Sequence, residues 1–276
     1  MSSDGLHPDG TDTIVLIHGL WLTALSWEHW VKRYRARGYR VLAPDWPGME
    51  PGTDELGGRP PEIARLGITE IVDHYDHLIR GLRQPPAIIG HSVGGLVAQM
   101  LLDRGLGAAG VAIDPAPTRA TVRTTVSMLR AAFPALWNLV DARRTVPLTS
   151  RQFRRVLTNT LSRREAAAVR DRYYTPAPGR VIRGVSFPKP PDAATVVEFG
   201  NGQRAPLLLI AGGRDRIFPV TLTRTSFDAY TRSNAVTTYK EFPERSHYTI
   251  GEPGWEQVAD YALRWAMENA GGRAIG

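Results

Sequence analysis

Gly90-His91-Ser92-Val93-Gly94 stands between two apolar runs, Ala87-Ile88-Ile89 before it and Leu96-Val97-Ala98-Gln99-Met100 after it. The first run is short and β-branched and reads as a buried strand; the second begins at once and reads as a helix. The pentapeptide therefore has to turn the chain from strand to helix within a few residues. Glycines two before and two after the serine leave room for that turn, which lifts the serine hydroxyl off the end of a sheet. With 27 glycines in 276 residues, this spacing arises by chance about 0.1 times in such a chain, before the flanking strand and helix are demanded.

A hydroxyl raised in this way is a candidate nucleophile, but it needs a base. A nucleophile on such a turn precedes its acid and its base in the chain. Of His7, His18, His29, His74, His77, His91 and His247, only His247 follows the last predicted strand, in a loop ahead of the final helix. It is the expected base. The acid is expected after the penultimate strand, where Gly212-Gly213-Arg214-Asp215 follows Pro206–Ala211. Asp215 is the first choice to hold the imidazole tautomer and stabilise imidazolium. Asp114 ends the preceding strand in Ile113-Asp114-Pro115 and is the alternative acid. Arg214 and Arg216 flank Asp215, so a surface ion pair is the competing reading of that carboxylate.

A developing oxyanion requires two backbone N–H donors. One is expected from Val93, at the positive end of the helix after the serine. The other is expected from Leu20, in the His18-Gly19-Leu20-Trp21 turn after the first strand. His18 itself is expected to shape that turn.

The rest of the chain repeats the same rhythm. Strands are predicted at Thr13–Ile17, Tyr39–Ala43, Gly110–Ile113, Pro206–Ala211 and Val236–Phe242, and helices at Leu25–Arg37, Ile68–Leu82, Val93–Arg104 and Trp255–Met267. Ser26 is a candidate N-cap and Gly38 a helix stop. Alternating strands and helices imply an α/β fold with a mostly parallel sheet flanked by helices. From Thr118 to about Arg204 the strand pattern lapses, and helices are expected at Thr121–Phe133, Thr149–Thr160 and Arg163–Tyr174. A helical cap inserted after the strand ending at Asp114 accounts for this. The expected division is 1–116 and 205–276 for the two parts of the core, and 117–204 for the cap.

Composition narrows the function classes. There is no cysteine, which removes thiolate catalysis, disulfides and thiolate metal sites. No run approaches the ~18 apolar residues of a membrane span, and the N-terminus lacks a basic-then-apolar leader, so a cytoplasmic protein without a membrane partner is expected. The formal charge is +7, and Pro115 to Ala205 alone carries 15 arginines and 1 lysine against 5 acidic residues. No nucleic-acid module accompanies that charge, so no nucleic-acid partner is expected, and solvated helix faces are its first reading.

Together, His18-Gly19, the Gly90–Gly94 turn, Asp215 and His247 resemble the α/β-hydrolase superfamily, in the family's order and over nearly the whole chain. The resemblance implies a serine hydrolase with a helical cap. Only about twelve residues precede the first strand, so the antiparallel strands that often open this fold are expected to be missing, leaving about six. Serine rather than aspartate at 92 argues against dehalogenase-like and epoxide-hydrolase-like members. Cleavage of a carboxylic ester or lactone of a medium-sized, fairly hydrophobic small molecule is the expected reaction, without metal or organic cofactor. Perhydrolase, haloperoxidase-like or lyase chemistry on the same triad is one alternative. A non-catalytic small-molecule binding protein on the same fold is the other. Trp21, Leu22, Met128, Trp137 and Phe153 are candidate pocket residues, and Asn159 with nearby arginines a polar contact. Monomer and homo-oligomer are both open.

Overall fold

The computed structural model describes residues 11–49, 63, 65–118, 144–186 and 196–271. Six strands form one parallel sheet: β1 (Thr13–Ile17), β2 (Arg40–Leu42), β3 (Ala87–His91), β4 (Ala109–Ile113), β7 (Leu207–Gly212) and β8 (Thr237–Phe242), in the order β2-β1-β3-β4-β7-β8. Every residue of β1, β3, β4 and β7 is buried, which is why these strands read as continuous apolar runs rather than as alternation. β8 is half-buried throughout, as suits an edge strand.

The helices α1 (Glu28–Arg35), α2 (Ile68–Arg80), α3 (Val93–Asp103), α7 (Val220–Tyr230) and α8 (Trp255–Asn269) connect and cover these strands. The chain leaves β1 through α1 to β2 on one side, then returns through α2 to β3 on the other. That reversal of winding opens a crevice at the carboxyl ends of adjacent strands. Ile17 pairs with Gly90 there, so the turn after β1 and the turn after β3 emerge side by side.

Between β4 and β7 the chain makes an excursion outside the main sheet. It contains α4 (Ser150–Val156), α5 (Arg163–Tyr173) and α6 (Gly179–Ser186), with a two-stranded antiparallel pair, β5 (Thr145–Val146) and β6 (Ala177–Pro178). Capping boxes at Thr149/Gln152 and Ser162/Glu165 start α4 and α5 by satisfying their first N–H groups. Backbone bonds from Thr23 N–H to the Tyr173 carbonyl and from Thr175 N–H to the Trp21 carbonyl pin the excursion to the loop after β1.

Three local expectations change. Ser26 does not cap α1: its hydroxyl donates to the Thr23 carbonyl at 2.7 Å inside a short 3₁₀ turn, and Trp27 occupies the cap position. The helix expected to Thr160 stops at Val156, and α7 was not expected at all. α7 is rich in threonine, so its own propensity for helix is low; burial of Leu222, Thr223, Ser226 and Tyr230 holds it. The helix expected at Thr121–Phe133 lies outside the described residues. No described helix is long and apolar enough to cross a membrane.

Candidate active site

Ser92 sits at φ 57°, ψ −120° between β3 and α3, a backbone conformation that an L-residue adopts only under constraint. The surrounding packing supplies it. A Cβ at Gly90 would overlap the Gly94 carbonyl oxygen, and one at Gly94 would overlap the carbonyl of Ile17 at the end of β1. A Cβ at Gly19 would lie 2.6 Å from the Ser92 Cβ, so the turn after β1 is in direct contact with the serine. Ser92 N–H donates to Ile113 O at 2.9 Å, and its own carbonyl accepts from Ala116 N–H at 2.9 Å. Val93 opens α3, so its N–H has no carbonyl one helical turn back.

His247 lies in the loop between β8 and α8, and four contacts fix that loop, three of them from distant parts of the chain. Glu252 accepts from Ser246 N–H at 2.8 Å. Tyr248 N–H donates to the carbonyl of Leu157 at 2.9 Å, and Trp30 Nε1–H to that of Ile250 at 2.7 Å. His91 Nε2–H donates to the carbonyl of His247 at 2.7 Å. The Phe218 ring meets the His247 ring edge-on at 5.4 Å. Sequence reasoning named neither His91, Phe218 nor Glu252 for this site. Nothing local marks them, because their partners are set by tertiary packing.

Asp215 and His247 are 7% and 1% exposed, which excludes the surface ion-pair reading of Asp215; Arg214 pairs with Glu244 instead. Asp215 Oδ2 lies 2.6 Å from His247 Nδ1, while its Oδ1 accepts from Ile217 N–H at 2.6 Å and Phe218 N–H at 2.9 Å. Burial raises the Asp215 carboxyl, and the two backbone donors pull it back toward the carboxylate. Burial pushes His247 down to about 3, so its resting form is neutral imidazole.

Asp114, the alternative acid, does not take His247 Nδ1. Its Oδ1 accepts from Gly212 N–H at 2.5 Å. Burial and the neighbouring Asp215 charge push its carboxyl well above the ordinary range, toward the uncharged acid. His91, Asp114 and His247 offer ligand-type atoms within 4.8 Å of one another. One ring nitrogen of each histidine is already committed to Asp215 or to a carbonyl, while His91 Nδ1 and Asp114 Oδ2 are buried without a hydrogen-bond partner among the described residues.

His18 stacks on Trp46 at 4.6 Å, and its Nε2 accepts from Trp46 N–H at 3.3 Å. That tautomer leaves Nδ1–H to donate to the Gly19 carbonyl at 3.0 Å. Leu20 follows in this turn and is buried. Leu22 and Phe153 are fully buried, Leu22 bridging to Tyr174 and Phe153 meeting the Tyr174 ring edge-on. Trp21, at φ 61°, donates from Nε1 to the Val146 carbonyl at 3.0 Å. Asn159 donates to the Arg214 carbonyl at 3.1 Å, a contact between excursion and core. Met128 and Trp137 lie outside the described residues.

The buried histidines make the fold acid-sensitive. His18, His91 and His247 have lowered pKa values, chiefly from burial, and protonation then favours the unfolded chain. Asp114 and Asp215 are raised and act with the opposite sign, releasing protons on unfolding above about pH 4. The three histidines outnumber the two carboxyls, and unfolded histidine gains its proton as the pH falls through its ordinary value of about 6.5. The net proton uptake on unfolding therefore grows from pH 6 to pH 5, and stability is expected to fall on acidification through that window. Urea denaturation at pH 7, 6 and 5 measures this, and a midpoint that holds or rises on acidification refutes it.

A serine on a strained strand–helix turn and a buried His–Asp pair, both in loops that follow strands of a parallel sheet, define the α/β-hydrolase class of fold. The family model described as "Alpha/beta hydrolase family" matches residues 14–261, and the chain belongs to that family. No curated protein matches the sequence significantly. Among solved structures it is similar to polyneuridine aldehyde esterase, with a TM-score of 0.66 and 15% identity over 93% of this chain and 99% of that one. A monoacylglycerol lipase from Paleococcus ferrophilus superposes with a TM-score of 0.64 at 23% identity, covering 94% and 96% of the two chains. Tomato Methylketone Synthase I, complexed with 2-tridecanone, gives 0.68 at 14% identity, covering 94% and 99%.

Proposed function

We propose that this protein is a serine hydrolase that cleaves a carboxylic ester or lactone of a medium-sized, fairly hydrophobic molecule. The observation that carries the reading is the 2.6 Å contact between His247 Nδ1 and Asp215 Oδ2 at the sheet edge that also holds Ser92. Ser92 Oγ attacks the carbonyl carbon while His247 Nε2 takes its proton, and Asp215 stabilises the imidazolium that forms. The carbonyl oxygen, now an anion, is received by the N–H groups of Val93 and Leu20. Each such donor contributes a factor of about 10²–10³. His247 returns the proton to the leaving alcohol. Water, deprotonated by His247, then attacks the acyl-enzyme and releases the acid and Ser92. All the groups required are side chains and backbone of this chain.

In this reading residues 117–204 act as a cap, and Trp21 stands at the junction between cap and oxyanion turn. Leu22 and Phe153 support that junction from within the packing. Esterase and lipase names among the structural neighbours favour ester cleavage. A methylketone synthase also stands among the neighbours, and product analysis separates hydrolysis from a lyase reaction on the same triad.

The test is intact-mass spectrometry after treatment with an organophosphonate serine probe. A single adduct is expected, mapped to Ser92 and absent from Ser92→Ala. A folded wild-type protein that takes no label counts against an activated serine and favours the binding-protein reading.

A further inference from the structure

Among the described residues of the excursion, four arginines gather around one concavity. α4 and α5 face each other across a groove of about 320 Å³. Arg151 and Arg154 line it from α4, and Arg163 and Arg170 from α5, over a floor that includes Ala166 and Ala167. On α5 the positions 163, 166, 167 and 170 recur at helical spacing and form one stripe; the alanines keep the stripe concave. Arg151, Arg154 and Arg163 form no ion pair or side-chain hydrogen bond among the described residues. Arg170 lies over the Tyr174 ring at 4.5 Å and gives one long hydrogen bond, 3.4 Å, to the Leu148 carbonyl. Its Nε is buried without an acceptor. Of the two acids on α5, Glu165 is turned back to cap Ser162 N–H at 2.9 Å, and Asp171 is not among the residues that line the groove.

Four guanidinium groups around one concavity repel one another. An anion with several acceptor oxygens relieves that repulsion. Guanidinium forks match the tetrahedral oxygens of a phosphoryl group, two at a time. We propose that the α4–α5 groove binds a phosphoryl group carrying at least two negative charges, as in a small phosphate ester or a pyrophosphate. The groove's lining includes none of Ser92, Asp215 and His247, and its test does not depend on hydrolysis.

The experiment is isothermal titration calorimetry of the full chain with inorganic pyrophosphate at low and moderate salt. Arg151→Gln/Arg163→Gln removes two exposed groove arginines, and Arg83→Gln/Arg232→Gln removes the same charge from exposed positions elsewhere. One site with Kd of about 1 mM or tighter, weakened at least tenfold in the groove double variant and unchanged in the control, is the expected result. No binding to wild type, or equal loss in both double variants, overturns the proposal. Phosphatidylglycerol vesicles form the second arm. Retention on vesicles that pyrophosphate displaces supports the groove and makes a lipid headgroup the source. Retention that pyrophosphate leaves untouched overturns it in favour of a general membrane attraction.

Discussion

Replacing His247 with alanine is expected to lower turnover of a p-nitrophenyl ester by a factor on the order of 10⁵–10⁶, as large as the loss on replacing Ser92. The two act as one unit, so the double variant loses little more than either single one. Asp215→Asn is expected to cost about 10⁴ in kcat, because the amide no longer selects the Nδ1–H tautomer or stabilises imidazolium. Asp114→Asn is the discriminating control. Its carboxyl is pushed toward the uncharged acid by burial and by Asp215, and asparagine has nearly the shape of that acid while keeping an oxygen for Gly212 N–H. A loss of less than about tenfold is expected there. Equal losses for the two aspartate variants would move the working acid away from Asp215.

The second large effect is structural. Gly90→Ala is expected to cost more than about 4 kcal/mol, enough to leave little folded protein. The added methyl would overlap the Gly94 carbonyl and crowd Gly95 N. Both belong to the first turn of α3, which cannot move without carrying Ser92 out of register with Ile113 and Ala116. Gly202→Ala, where nothing lies within 4 Å of the new Cβ, is expected to change stability by less than about 0.5 kcal/mol. Chemical denaturation of the pair separates a steric requirement from a general dislike of alanine for glycine.

The core strands were legible because burial on both faces leaves only apolar residues in them, and because Gly and Pro mark their ends. The same logic placed Ser92, Asp215 and His247, each just beyond a strand. What the sequence could not supply is held by long-range contact. His91 is bound to a carbonyl 156 residues away, and Glu252, which holds Ser246, is itself fixed by the Thr160 hydroxyl 92 residues away. α7 was missed for a related reason: its threonines oppose helix, and only packing against the sheet overrides them. The choice between Asp114 and Asp215 also needed coordinates, since both follow buried strands and only the 2.6 Å contact separates them.

Trp21, Ser92 and Asp114 are the non-glycine residues with positive φ among those described. All three stand at the carboxyl edge of the sheet, after β1, β3 and β4. Glycine at any of them would relax the backbone, but at Trp21 and Asp114 it would also remove a hydrogen bond, to the Val146 carbonyl and from Gly212 N–H. Ser92 has no such compensation from its hydroxyl, so a lineage selected only for heat resistance would be drawn toward glycine there and would lose that hydroxyl as it hardened. At this one point on the rim of the crevice, durability and a raised hydroxyl compete for the same position.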